Sequence, residues 1–126
     1  MGIDVLIVDA DLSLTRVMSA ALSEEGYTVR VAPSGEEALG LVEEQAPDLV
    51  LMELMPTVCA GIDLAERLKS DSCREVPIIA MSEVDPMVDR GRSQACFEGW
   101  LPKPFTLATL LHFVGLTGEG YQDRAG

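Results

Sequence analysis

The sequence is poor in basic residues. Nine Lys and Arg side chains stand against 21 Asp and Glu, which gives a formal net charge of −12. Nucleic-acid binding draws much of its affinity from cationic side chains that displace counterions from phosphates, and anionic membrane surfaces select polybasic segments. The composition therefore argues against direct binding to nucleic acid or to a membrane surface, and favours a cationic or metal-mediated partner surface.

Cysteine is scarce, and long apolar runs are missing. Cys59, Cys73 and Cys96 form no Cys-x-x-Cys pair and have no neighbouring histidine, so the sequence indicates buried, reduced thiols and no zinc site. No stretch approaches the roughly 18 apolar residues of a membrane span, and the first residues lack the basic region of a secretory signal. The predicted location is the cytoplasm.

Glycine is absent from residues 10–15, the loop that follows the first apolar segment. A phosphate-cradling loop after a first strand depends on glycine, so this absence argues against a small flavin-binding or catalytic α/β protein. We therefore expect no enzyme activity.

The chain does contain enough residues for one domain. Its 126 residues, 48% of them hydrophobic, suffice for a single core without disulfides or structural metals. We predict one domain over residues 1–117. Residues 118–126 are predicted to be a flexible tail, because this segment is mostly polar and contains glycine.

Apolar segments alternate along the chain with segments whose apolar residues recur at helical spacing. Strands are predicted at residues 3–8, 27–32, 48–53, 76–81 and 100–101. Gly26 is predicted to end the first helix. Residues 34–37 are predicted to cap the second helix, and Thr106 is predicted to cap the last. A helix is also predicted at residues 86–94, with the weakest apolar face. Short strand–helix units require parallel strands and right-handed crossovers, so the prediction is a doubly wound α/β domain with helices on both faces of a five-stranded parallel sheet.

Polar side chains follow the predicted strands, where such sheets form their binding crevice. Carboxylates can hold a divalent cation, a hydroxyl can donate to a phosphoryl oxygen, and an ammonium can neutralise an anion, so the set suits phosphoryl chemistry on a carboxylate. Simpler roles remain open: solvated carboxylates beside the first helix, a helix-capping serine, an exposed lysine, a packing Trp100. The strand-end residues are Asp9, Asp11, Glu53, Ser82, Glu83 and Lys103.

Six stretches, in order, resemble the receiver domain of two-component response regulators. The resemblance covers residues 3–116 and implies the flavodoxin-like strand order 2-1-3-4-5. It also implies that a histidine kinase donates a phosphoryl group to an Asp at the end of the third strand, beside Mg²⁺ held by an acidic pair after the first. The stretches are Val5-Leu6-Ile7-Val8-Asp9-Ala10-Asp11, Gly26-Tyr27-Thr28-Val29, Ser34-Gly35-Glu36-Glu37-Ala38-Leu39, Pro47-Asp48-Leu49-Val50-Leu51-Met52-Glu53, Val76-Pro77-Ile78-Ile79-Ala80-Met81-Ser82 and Leu101-Pro102-Lys103-Pro104-Phe105.

The resemblance assigns roles by position. The phosphoacceptor position falls on Glu53, Ser82 matches the hydroxyl residue that moves toward the phosphoryl group, Lys103 matches the invariant lysine, and Trp100 matches the aromatic switch. Glu53 is a departure from the family, since receivers carry Asp there.

The metal ligands implied by the resemblance are Asp9, Glu53 and the backbone carbonyl of Met55. Ala10 stands where receivers carry a second acid, and Met55-Pro56 comes one residue earlier than the family's Met-Pro. Because Mg²⁺ requires near-ideal octahedral ligation, we expect Mg²⁺ binding to be possible but weakened by Ala10.

Two functions remain open at this stage. The favoured one is a degenerate pseudo-receiver that acts by protein–protein interaction; the alternative is a working, Mg²⁺-dependent phosphoacceptor. In the first case Glu53 either imitates a phosphorylated Asp close to Ser82 and Lys103 or simply pairs with Lys103. The expected partner is a histidine kinase or another signalling protein, meeting the region around strand 76–81, helix 86–94 and Trp100 through Met87 and Val88.

Overall fold

The computed structural model describes residues 2–54, 58–70, 73–84 and 96–125. Its strands are β1 (Asp4–Val8), β2 (Thr28–Ala32), β3 (Leu49–Glu53), β4 (Ile78–Ser82) and β5 (Gly99–Pro102). Its helices are α1 (Leu12–Glu24), α2 (Gly35–Glu44), α3 (Val58–Lys69) and α4 (Leu107–Ala125). The predicted helix 86–94 falls outside the described residues.

The strands form one parallel sheet in the order β2-β1-β3-β4-β5, which confirms the predicted architecture. The strands β1, β3 and β4 are buried on both faces because helices cover both sides of the sheet. Their residues are therefore almost all apolar. Side chains of α2 and α3 pack on one face, and those of α1 and α4 pack on the other. Cys73 and Cys96 are buried in the first of these cores, as predicted; the side chain of Cys59 lies outside the described residues.

The predicted helix ends are confirmed where the structure describes them. Gly26 has a φ of +94°, and the N–H groups of Gly26 and Tyr27 donate to the carbonyls of Ser23 and Leu22, so a left-handed residue closes α1. The Ser34 hydroxyl accepts from the N–H of Glu37 at 3.2 Å. The Thr106 hydroxyl accepts from the N–H of Thr109 at 3.1 Å.

The last helix is longer than the sequence indicated. Residues 118–125, assigned above to a flexible tail, continue α4 as backbone helix through Ala125. The polar and glycine residues of this segment lower its helix propensity but do not forbid the helical backbone. The functional division at residue 117 stays a prediction.

Asp4 is the one acid in the apolar run of β1, and Arg30 on β2 is its partner. The Arg30 guanidinium donates to the Asp4 carboxylate at 3.2 and 3.0 Å, and to the carbonyls of Leu41 and Gln45 at 3.0 and 2.9 Å. One side chain therefore connects two strands to the end of α2. This network lies at the amino end of the sheet, away from the strand-end residues that form the candidate site.

Candidate functional site

The polar residues predicted to meet at the carboxyl edge of the sheet do so. Asp9 directly follows β1, Glu53 and Ser82 are the last residues of β3 and β4, and Lys103 directly follows β5. β1, β3, β4 and β5 are successive neighbours in the parallel sheet, so their ends face the same crevice. The fold, through strand order and length, thus assembles residues that are up to 94 positions apart in sequence.

Asp9 is the most deeply buried acid of the site, with 2% of its surface exposed. Its Oδ1 accepts from the N–H of Asp11 at 2.9 Å, and its Oδ2 accepts from Lys103 Nζ at 2.9 Å. A carboxylate this far from water needs such partners, because burial of an uncompensated charge is costly. The interpretation of Asp9 as a solvated carboxylate beside α1 is therefore wrong.

Lys103 is shared between two acids. Its ammonium pairs with Asp9 Oδ2 and also with Glu53 Oε2. Its own backbone N–H donates to the Ser82 carbonyl at 2.9 Å, and the Lys103–Pro104 peptide bond is cis. The ammonium lies between the carboxylates of β1 and β3, so Lys103 is not the ordinary exposed lysine considered above.

The electrostatics of the site follow from this sharing. Burial acts to lower the pKa of Lys103, but the hydrogen bonds and charges of Glu53 and Asp9 outweigh it, so the pKa of the ammonium is raised. Burial raises the pKa of Glu53, with a smaller contribution in the same direction from Asp9, while Lys103 opposes the rise. Lys103 thus shares its positive charge between two carboxylates, those of Asp9 and Glu53.

The pKa of Lys103 provides a direct measurement of this arrangement. Removing one of its two anionic partners with Glu53→Gln should lower that pKa. The chain contains two lysines, Lys69 and Lys103, so Lys69→Arg assigns the side-chain NMR signal whose pH titration reports it. Because the folded-state pKa is raised, the stability that Lys103 contributes is fully present below the ordinary lysine pKa and is lost as pH rises through the folded value. A Lys103 pKa unchanged by Glu53→Gln would contradict the shared ammonium.

Ser82 and Trp100 are linked to each other. The Trp100 indole Nε1–H donates to the Ser82 carbonyl at 3.0 Å, and the Ser82 hydroxyl accepts from the N–H of Val84 at 3.0 Å. Trp100 is half-buried and Ser82 is buried. The described contacts of the Ser82 oxygen are thus local, and Glu53 is directed to Lys103. The structure therefore has Glu53 paired with Lys103, a contact that both interpretations of Glu53 given above include.

The carboxylates of Asp9, Asp11 and Glu53 each have a hydrogen-bond or ion-pair partner within the protein. Asp11 Oδ1 accepts from the N–H of Leu14 at 3.1 Å, which makes Asp11 the N-cap of α1. Ala10 supplies no ligand atom, and Met55 lies outside the described residues. Within the described part of the chain, no group of three or more His, Cys, Asp or Glu side chains is arranged to hold a metal ion. Lys103 pairs with one oxygen of Asp9 and one of Glu53, so Mg²⁺ would compete with the ammonium for these carboxylates.

Sequence reasoning located the residues of the site but missed two of its bonds. Asp9, Glu53, Ser82 and Lys103 were each predicted to lie at the crevice and do lie there, while their functional roles stay predictions. The Trp100–Ser82 bond was missed. The sequence indicates only that a half-buried tryptophan needs an acceptor for its indole N–H. It does not indicate which carbonyl is the acceptor. The bond by which Asp11 caps α1 was also missed, since the alternative considered above placed Asp11 beside that helix only as a solvated carboxylate.

Comparison with known proteins agrees with the resemblance noted in the sequence. A family model described as the response regulator receiver domain matches residues 5–115. The Response regulator MprA of Mycolicibacterium vanbaalenii is 32% identical over 112 residues, covering 88% of this chain and 48% of the relative. The chain therefore spans about half the length of the curated relatives it matches first.

Solved structures agree in fold. The chemotaxis response regulator CheY4 of Vibrio cholerae superposes with a TM-score of 0.84 at 25% identity, covering 93% of this chain and 99% of that one. The receiver domain of NtrX from Brucella abortus superposes with a TM-score of 0.79 at 23% identity, covering 92% of this chain and 98% of that one. Both likenesses extend over nearly the whole chain, as the strand order leads one to expect.

Proposed function

The chain belongs to the response regulator receiver domain family, and on that premise we propose that it is a pseudo-receiver: a signalling module that binds other proteins and does not accept a phosphoryl group at Glu53. Receiver domains in general are signalling modules of two-component systems and typically bind Mg²⁺ at their phosphorylation site. The proposal concerns what this chain retains of that activity.

One observation carries the proposal: the Lys103 ammonium lies between Asp9 and Glu53 and pairs with both. Glutamate is one methylene longer than the aspartate of working receivers, so its carboxylate extends further from β3 toward Lys103. Transfer to a carboxylate requires the nucleophile, the metal and the donor to be placed within a fraction of an ångström. A carboxylate held against an ammonium is both displaced and less nucleophilic.

The metal side of the chemistry is weakened independently. Ala10 leaves Asp9 without the neighbouring acid, and Asp9 itself accepts from Asp11 N–H and Lys103 Nζ. Mg²⁺ bound to Asp9 would compete with the Lys103 ammonium for the same carboxylate. Ala10 and Glu53 lie on different strand ends, so two separate departures from the family act against the same step.

Likeness of fold supports a role in protein recognition. The described fold superposes on the chemotaxis response regulator CheY4 with a TM-score of 0.84, and we propose a histidine kinase or another signalling protein in the cytoplasm as partner. Trp100 is half-buried beside the site and belongs to the proposed partner region, whereas Met87 and Val88 of that region lie outside the described residues. None of the described helices is long and apolar enough to cross a membrane.

The experiment is exposure of the unaltered chain to Mg²⁺ and acetyl phosphate, followed by intact-mass measurement. We expect no mass increase equal to one phosphoryl group, because Glu53 is held by Lys103 and the second acid is missing. A stable, stoichiometric acyl phosphate that disappears in Glu53→Gln would instead establish the alternative, a working Mg²⁺-dependent phosphoacceptor.

A further inference from the structure

The sheet edge opposite the Trp100 region carries a groove that the proposed function does not use. It has a volume of about 520 Å³ and lies between β2 and α2. β2 is the terminal strand of the sheet, at the far side from β5. The groove is lined by Val31, Glu37, Gly40, Leu41 and Glu44.

The groove is lined by apolar residues and by two acids. Val31 and Leu41 are half-buried, Gly40 is exposed, and a methyl group added at Gly40 would have no atom within 4 Å. Glu37 and Glu44 are exposed and lie seven residues apart on α2, which is about 10 Å along one face of a helix. An occupant of this groove therefore meets Leu41 and two negative charges on the side of α2, and Val31 at the strand edge, with its side chain on the other face of the sheet.

The backbone of β2 supplies a second kind of contact. Thr28 N–H donates to Ile3 and the Ala32 carbonyl accepts from Asp9 N–H, at 2.9 and 3.1 Å, so these residues face β1. Backbone groups of a parallel strand alternate between its two edges. The N–H and C=O of Val29 and Val31 therefore point to the outer edge, where they can pair with an added strand.

Local rigidity and charge favour the same kind of occupant. The Arg30 guanidinium bonds to the carbonyls of Leu41 and Gln45, which holds the end of α2 beside β2. α2 contains four glutamates and no basic residue, in a chain of net charge −12. An acidic and preformed edge selects a cationic segment, since complementary charge steers association and excludes acidic competitors.

We propose that this edge binds an extended, cationic segment of a partner protein, which adds as a strand to β2. Lys or Arg side chains of that segment lie on the face of the sheet that α2 covers and pair with Glu37 and Glu44, while its apolar side chains lie on the opposite face beside Val31. Alternate side chains of a strand point to one face, so a segment alternating lysine with valine has the required pattern. The proposal does not depend on phosphoryl chemistry, because the groove and the Glu53 site lie on different parts of the sheet.

The test uses the full chain and two synthetic peptides, one alternating lysine with valine and one alternating glutamate with valine. Binding is followed by amide NMR shifts and by calorimetry. The lysine peptide should bind and should shift amides of β2 and α2, with an affinity that falls as salt increases. The glutamate peptide should not bind. Shifts confined to another surface would overturn the proposal.

Matched variants locate the site. Glu37→Lys with Glu44→Lys should weaken binding about tenfold or more, since it replaces two attractions by two repulsions. Glu36→Lys with Glu43→Lys makes the same charge change on the same helix at positions that do not line the groove, and should weaken binding about threefold at most. Equal losses in the two double variants would show that the peptide is held by net charge alone, which contradicts the proposed groove.

Val31→Pro tests the added strand. Proline removes an N–H that points away from β1, so the internal ladder of the sheet is kept, and edge strands tolerate proline in this orientation. Binding should fall at least fivefold, or about 1 kcal/mol by the standard conversion, while Val31→Thr retains the N–H and should retain binding. Circular dichroism checks folding, and the charge variants remain decisive if the proline variant does not fold. Unchanged binding by folded Val31→Pro would rule out strand addition.

Discussion

Glu53→Asp combined with Ala10→Asp is expected to raise the rate of phosphoryl uptake from acetyl phosphate by about 100-fold or more over the unaltered chain. The shorter acid withdraws the carboxylate from Lys103, and the second substitution supplies the acid that receivers carry beside Asp9. Ala10 is exposed, so the new side chain displaces no core residue. Intact-mass measurement against time in the presence of Mg²⁺ gives the rate.

The controls separate the acceptor from the metal site. Glu53→Gln with Ala10→Asp restores the acidic pair without an acceptor and should remain unmodified. The two single variants, Glu53→Asp and Ala10→Asp, show how much of the rise in phosphoryl uptake comes from each substitution. If the folded double variant takes up no phosphoryl group, the deficit does not reside at these two positions and the explanation given for the pseudo-receiver is wrong.

Lys103→Met is expected to lower the free energy of unfolding by about 3 kcal/mol, because it leaves two carboxylates without their ammonium. The side chain of Asp9 is only 3% exposed and that of Glu53 is 25% exposed, so water cannot fully replace the lost partner. Urea denaturation at neutral pH measures the loss. Adding Glu53→Gln to Lys103→Met should recover part of it, since one of the two uncompensated charges is then removed.

The other lysine of the chain provides the matched control. Lys69 pairs with Glu98 at 2.8 Å, and the Glu98 side chain is 36% exposed. Lys69→Met leaves a carboxylate that water can reach and also removes the 2.6 Å bond from Lys69 Nζ to the Val76 carbonyl, so its cost should be about 1–2 kcal/mol. A loss in Lys103→Met no greater than that in Lys69→Met would contradict the view that Lys103 neutralises both Asp9 and Glu53.

The sheet was predictable from the sequence because its signal is repeated along the whole chain. Aliphatic strand segments such as residues 49–52 alternate with segments whose apolar residues recur at helical spacing. Only parallel strands joined by helical crossovers accommodate that alternation in so few residues. The crevice residues were predictable for the same reason, since strand ends define where they lie. Local capping by Ser34 and Thr106 was also readable, because it depends on residues three positions apart.

Pairings between distant side chains were not predictable to the same degree. Asp4 interrupts an apolar strand, but the sequence does not show that Arg30 neutralises it. Lys103 and Asp9 are 94 residues apart, and the sequence does not show that Lys103 pairs with both Asp9 and Glu53. Such choices are decided by the shape of the assembled crevice. The extension of α4 to Ala125 likewise runs against local composition.

A crystal structure of the unaltered chain grown in the presence of Mg²⁺ tests most directly whether Lys103 holds the site closed to the metal. We expect the ammonium to remain in hydrogen-bond contact with Asp9 and Glu53, with no ion ligated by either carboxylate. A magnesium ion coordinated by Asp9 and Glu53, with Lys103 displaced from between them, would contradict the proposed pseudo-receiver.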